Sequence, residues 1–78
     1  MKELVEVIAK ALVDNPEEVI VTEYDDDGTL VIDLHVAKSD MGKVIGKKGR
    51  IAKSIRTVVK TVALKRDIKV AVNIDEAE

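Results

Sequence analysis

The sequence predicts an α+β fold of two layers, with three helices covering one face of a three-stranded mixed sheet in the order α-β-β-α-α-β. Three observations carry that prediction. Apolar residues recur with a helical period in residues 2–13 and 50–65, but with a period of two in residues 29–36 and 68–74. An Asp-Gly step at Asp27-Gly28 joins two runs rich in β-branched side chains, which is a hairpin signal. The last alternating run follows a helical crossover, so it is free to pair in parallel with a neighbour. At 78 residues the chain has the length of a single domain, residues 1–78.

Residues 2–13 place Leu4, Val5, Ile8, Ala11 and Leu12 on one side of a helix, with Lys2, Glu3, Glu6 and Lys10 elsewhere. The helix stops at Asp14-Asn15-Pro16, because the residue before a proline is pushed out of the α region. Residues 18–24, from Glu18 to Tyr24, form the first strand, and Asp25-Asp26-Asp27-Gly28 the turn after it. In residues 29–36, Leu30, Ile32, Leu34 and Val36 share one face while Val31, Asp33 and His35 share the other. One face is therefore buried and one wet. Ser39-Asp40 supplies capping oxygens for a short helix over about residues 40–45. Gly46-Lys47-Lys48-Gly49 interrupts it, and a longer helix runs from about Arg50 to Lys65. In the third strand Ile68, Val70, Val72 and Ile74 alternate with Lys69, Ala71 and Asn73, and residues 75–78 form an acidic tail.

Composition narrows the chemistry. No cysteine is present, so disulfides, thiolate metal sites and thiol nucleophiles are excluded. No run approaches the roughly 20 apolar residues of a membrane span, and no signal-peptide core follows Met1, which fits a cytoplasmic protein and no membrane partner. The net charge of -2 conceals an asymmetry. Residues 1–40 hold three basic residues against eleven acidic ones, whereas Met41 to Lys69 hold ten basic residues against the single acid Asp67. The second half therefore carries a positive field.

The segment from Gly42 to Ile55 concentrates that charge around two glycines. Gly46 and Gly49 allow the chain to reverse and let a polymer approach backbone without meeting a Cβ. Gly49 opens the next helix, whose free N–H groups favour a phosphate. Lys47 and Lys48 offer ammonium groups to phosphate oxygens, with Lys43 and Arg50 flanking them. The spacing by itself also describes a plain turn between helices.

The run Val44-Ile45-Gly46-Lys47-Lys48-Gly49-Arg50-Ile51-Ala52-Lys53-Ser54-Ile55 resembles the signature of a KH domain, and the element order is that of the type II KH fold. With the KH unit filling nearly the whole chain, the sequence is similar to the small bacterial KhpA-type RNA-binding proteins. The resemblance implies that a GXXG loop, here Gly46, Lys47, Lys48 and Gly49, clamps the backbone of about four nucleotides while bases lie in an apolar groove. Val44, Ile45 and Ile51 would floor that groove, with Ile32, Leu34 or Val36 added from the strand. The resemblance also implies self-association as a homodimer, or pairing with a larger KH protein of the KhpB or Jag kind. It implies a role as an RNA chaperone or post-transcriptional regulator.

The long helix adds an independent observation. Ile51, Ile55, Val58 and Val62 make a core stripe, and Arg50, Lys53, Arg56 and Lys60 gather on the opposite side. Like charges three or four residues apart repel by a few tenths of a kcal/mol, so a polyanion crossing the helix would explain them. Ala52, Val59 and Ala63 widen the apolar stripe, as ordinary core or as a dimer surface.

Other chemistries lack their residues. Tyr24 is the only aromatic residue, so base stacking on an aromatic platform is poorly supported. His35 is the only histidine, and no cysteine or second histidine exists to build a triad or a zinc site. The fifth position after Gly42 is Lys47 rather than glycine, which excludes a nucleotide-hydrolysing P-loop. Asp25-Asp26-Asp27 reads as a turn. No enzyme, cofactor or metal is expected. The sequence thus reads as a binder of single-stranded RNA with low sequence selectivity, with single-stranded DNA not separable from it. The alternative is a protein-interaction module that uses the same fold as a dimerisation scaffold.

Overall fold

The computed structural model describes residues 1–46 and 49–76. Its elements are α1 (Lys2–Leu12), β1 (Ile20–Asp26), β2 (Thr29–Val36), α2 (Lys38–Ile45), α3 (Arg50–Arg66) and β3 (Lys69–Glu76), with a 3-10 turn over Pro16–Glu18 before β1. The sheet order is β1-β2-β3. β1 pairs antiparallel with β2, Val21 facing Leu34, and β3 runs parallel to β2, with Val72 facing Ile32 and Ile74 facing Leu34. This is the predicted α+β mixed sheet. No helix among the described residues is long and apolar enough to cross a membrane.

Four boundaries differ from the sequence reading, each for a local reason. Residues 16–18 coil into the 3-10 turn, where Glu18 N–H donates to the Asn15 carbonyl at 3.0 Å, so the strand begins at Ile20 rather than at residue 18. Asp25 and Asp26 continue that strand. The hairpin closes on two residues, Asp27 (φ 52°) and Gly28 (φ 88°), both positive as a type I′ turn requires. The short helix starts at Lys38 with Ala37 at its N-cap and no side-chain cap, so Ser39 and Asp40 lie inside its first turn and do not cap it. Finally Asp75 and Glu76, expected in an acidic tail, pair with His35 and Val36 as part of β3.

The core lies between the sheet and the helices. Ile32, Leu34 and Val36 of β2 are fully buried, together with Val5 and Ala9 of α1, Val44 of α2, and Ile55 and Val59 of α3. Each of the larger side chains contributes about 1.5–3 kcal/mol by leaving water. On α3 the buried line is Ala52, Ile55, Val59 and Ala63, rotated from the expected stripe. Val58 is exposed, and Ile51 and Val62 are half-buried. The two alanines lie on the side of the helix facing the core, where a small side chain lets the helix sit close. The other sheet face carries Ile20, Thr22, Tyr24, Asp33, His35 and Asn73, and only Val31 is buried there, between its cross-strand neighbours Tyr24 and Ala71.

Candidate nucleic-acid interface

Two glycines shape the junction of α2 and α3, for different reasons. Gly46 N–H donates to the Gly42 carbonyl at 2.8 Å, closing the last turn of α2. Its backbone is extended, but a Cβ at Gly46 would overlap the Gly42 carbonyl oxygen. Gly49 has φ 65°, the left-handed region that glycine enters without strain, and its N–H donates to the Gly46 carbonyl at 2.8 Å. α3 starts immediately after, presenting the positive end of its dipole at Gly49. Lys47 and Lys48 lie outside the described residues.

From Gly49 a groove runs along α3. Its first part, about 440 Å³, is lined by Ile45, Gly49, Ala52 and Thr57 together with Lys53, Arg56 and Lys60. A second part of about 460 Å³ shares Arg56 and Lys60 and continues to Leu64, Ile68, Val70 and Val72, with Lys69 at its side. Lys53, Arg56 and Lys60 follow one another on one side of the helix. Among the described residues none of Lys53, Arg56, Lys60 and Lys69 forms an ion pair. An apolar trough edged by cations without partners can hold a flexible polyanion whose other surface is flat and apolar.

The expected site residues divide. Ile45 (54 % exposed), Gly49, Lys53 and Arg56 come together on the groove. Arg50 is exposed in the first turn of α3, beside the groove rather than lining it. Lys43 is exposed, but its Nζ donates to Asp14 Oδ1 at 3.1 Å. Val44 is fully buried in the core and offers no surface, and Ile51 is half-buried against the same core. Ile32, Leu34 and Val36 are buried under the helices, because β2 is the central strand. The strand that borders the groove is β3, through Val70 and Val72. Thr57, Leu64, Ile68 and Lys69 were not anticipated. Thr57 and Leu64 lie on α3 itself, and the parallel pairing of β3 at the sheet edge brings Ile68 and Lys69 beside them.

One further charged group lies at the opposite end of α2 from this junction. Asp40, in the first turn of α2, is 1 % exposed, and its carboxylate accepts the N–H groups of Asp14 and Asn15, both at 3.0 Å, and the Asn15 side-chain amide at 3.2 Å. Burial, the largest single influence, pushes its pKa up. The N–H of Asp14, both groups of Asn15 and the Lys43 charge together outweigh it and hold the carboxyl below its ordinary value.

Comparison with known proteins shows the family of the chain. A family model described as KhpA/KhpB, KH domain, matches residues 2–74. The RNA-binding protein KhpA of Clostridium perfringens is 60% identical over 95% of this chain and 99% of its own length. The RNA-binding protein KhpA of Listeria monocytogenes is 51% identical over 97% of this chain and the whole of its own. Among solved structures, Era in complex with MgGDPNP and nucleotides 1506-1542 of 16S ribosomal RNA matches with a TM-score of 0.65. That match covers 96% of this chain but 29% of the Era chain, at 23% identity, and so speaks for the fold alone.

Proposed function

Because the chain belongs to the KhpA/KhpB KH-domain family, we propose that it is a non-catalytic protein that binds single-stranded RNA along the α3 groove. The observation that carries this reading is a row of cations, Lys53, Arg56 and Lys60, that form no ion pair among the described residues and stand beside an apolar trough that opens at Gly49. Backbone phosphates lie against the Gly46–Gly49 segment, where the open space around Gly49 admits close approach and Lys47 and Lys48 supply charge. Bases rest on the exposed Ile45, and farther along on the apolar side chains of Ile68 and Val70. Arg50 faces the same strand of RNA from the helix start. Without aromatic side chains in the groove, base identity is weakly read, so selectivity is low. A second KH unit, in another copy or in a larger partner, would raise affinity through effective concentration. Such a protein acts in the cytoplasm as an RNA chaperone or post-transcriptional regulator.

Fluorescence anisotropy with labelled single-stranded RNA tests the clamp. Lys47→Asp combined with Lys48→Asp abolishes binding while circular dichroism stays that of the wild type. Undiminished binding in a folded double variant would sink the assignment. A matched DNA oligonucleotide run in parallel measures how far the site distinguishes the two sugars.

The alternative reading, a dimerisation scaffold, draws on Val7 of α1 and Leu64 of α3, which are 67 % and 75 % exposed. It predicts an oligomer that forms without RNA and persists at high salt, because apolar contacts are little screened. RNA binding weakens steeply over the same titration.

A further inference from the structure

We infer that Asp40 is a positioning residue for the RNA-binding loop: it docks the connector after α1 onto the start of α2 and so sets where α2 delivers Ile45 and Gly46. The inference rests on the proposed RNA groove, and its starting point is an anomaly. Asp40 is the one buried charged side chain among the described residues. Taking a carboxylate out of water is costly unless its oxygens are hydrogen-bonded, and here both are.

The bonds reach across the chain, not along it. Asp14 and Asn15, some 25 residues earlier, give their backbone N–H groups to Asp40, one to each carboxylate oxygen. The Asn15 amide also donates to Ser39 Oγ at 3.0 Å, and one turn later Lys43 reaches back to Asp14. The connector therefore holds three positions of α2, of which only Asp40 is buried.

α2 needs that hold. At eight residues it is too short to be stable alone. Its one fully buried apolar side chain is Val44, near its C-terminus, with Met41 half-buried. Within the helix Val44 is the one fully buried apolar anchor and buried Ala37 stands at its N-cap, and Asp40 adds a further fixed point one turn before Val44. Movement at the start of α2 is transmitted to its end, where the Gly42 carbonyl holds Gly46 N–H and the Gly46 carbonyl holds Gly49 N–H. Ile45, on the groove, moves with them. An apolar residue at position 40 would fill space but would not direct three N–H groups.

The test compares Asp40→Ala, Asp40→Asn and a control, Val5→Ala, which removes core volume in α1. Amide resonances of Gly46 and Gly49 report the loop, and anisotropy with a fluorescein-labelled oligouridylate reports affinity. Asp40→Ala is expected to displace both glycine resonances and to weaken binding roughly tenfold, the cost of lost preorganisation. Asp40→Asn, which keeps one acceptor oxygen, gives a smaller change in the same direction. Val5→Ala lowers the thermal midpoint while leaving the glycine resonances and the affinity in place, so lost stability alone does not mimic the effect. The inference is overturned by a folded Asp40→Ala chain with wild-type glycine resonances and wild-type affinity. If that variant does not fold, Asp40→Asn decides on the same two measurements. A wild-type chain that ignores the oligouridylate would instead overturn the RNA reading, and the glycine resonances would then decide the positioning by themselves.

Discussion

The start of α2 and the groove side of α3 both carry charge, and they handle it in opposite ways. At the start of α2 one carboxylate is buried and every oxygen is occupied. Along α3 three cations stand exposed without an anionic partner among the described residues. A charge whose hydrogen bonds are all used inside the chain can organise the fold but has nothing left for a ligand. A charge left unpaired contributes little to folding and remains available. Under the proposed function, the difference separates residues that build the site from residues available to what it binds, and it predicts different failures for each.

Charge reversal on the exposed side gives the largest effect. Lys53→Glu with Arg56→Glu is expected to lower RNA affinity by about two orders of magnitude at low salt, since two attractions become two repulsions. The slope of log K against log salt should flatten by about 1.4, which is two contacts at about 0.7 each for a single strand. Stability should stay within about 0.5 kcal/mol, as expected for exposed positions. Salt-titrated anisotropy beside thermal denaturation checks both halves. A destabilised double variant with an unchanged slope would erase the distinction between the two regions.

Acid titration should reveal the buried side. The folded pKa of Asp40 is depressed, so its contribution to stability is present above the ordinary aspartate pKa and is lost as pH falls through the lower, folded value. The thermal midpoint should therefore fall with pH in that acid window, and Asp40→Asn should flatten this arm. Glu3 contributes to the same window, because the N–H at its own position and the N-terminal ammonium also lower its pKa. Glu3 is exposed and its share is screened by salt, whereas the share from Asp40 persists. Wild type and Asp40→Asn that superpose at high salt would show that the buried carboxylate has no special weight.

How these two regions appeared in the sequence follows from the range of the interactions that make them. The glycines, the basic run and the alternating strands are local patterns, and the structure has the elements they predict. Asp40 looked like a local cap, since aspartate after serine ahead of a helix is an ordinary capping pattern. Its true partners are Asp14 and Asn15, and no local rule connects residues that far apart. On α3 two apolar lines lie side by side, Ile51-Val58-Val62 and Ala52-Val59-Ala63, and periodicity alone does not say which one meets the sheet. Close packing selected the line containing the alanines, and that rotation aimed Lys53, Arg56 and Lys60 along the groove. The sheet order likewise depends on which strand β3 joins, and alternation alone does not put Val70 and Val72 beside the groove.

The end of α3 offers a smaller test on the exposed side. Asp67 has φ 54°, and N–H bonds from Ile68 to Ala63 at 3.0 Å and from Asp67 to Leu64 at 3.2 Å close a Schellman motif. Glycine is favoured at that position, and a negative charge is unfavourable beside the negative end of the helix dipole. Asp67→Gly should stabilise the chain by about 0.5–1 kcal/mol in denaturant unfolding. RNA affinity should not fall, because the change removes a negative charge from the groove end of the chain and no hydrogen bond.

Lys43 sharpens the comparison most, because it stands between the two regimes. It is close to the loop in sequence and basic, which suits a phosphate contact, yet its ammonium already meets Asp14 on the connector that Asp40 anchors. An exposed pair of this kind contributes only about 0–1 kcal/mol, so Lys43→Ala should barely move the thermal midpoint. The informative measurement is the salt slope of RNA binding. If Lys43 left Asp14 to hold a phosphate, its loss would flatten the slope by about 0.7. The pairing seen here predicts a slope unchanged within that margin and an affinity lowered no more than about twofold, since the connector stays docked through Asp40. A full 0.7 change would move Lys43 into the group of available charges, and the boundary between the residues that build the site and those that touch RNA would then run through α2 itself.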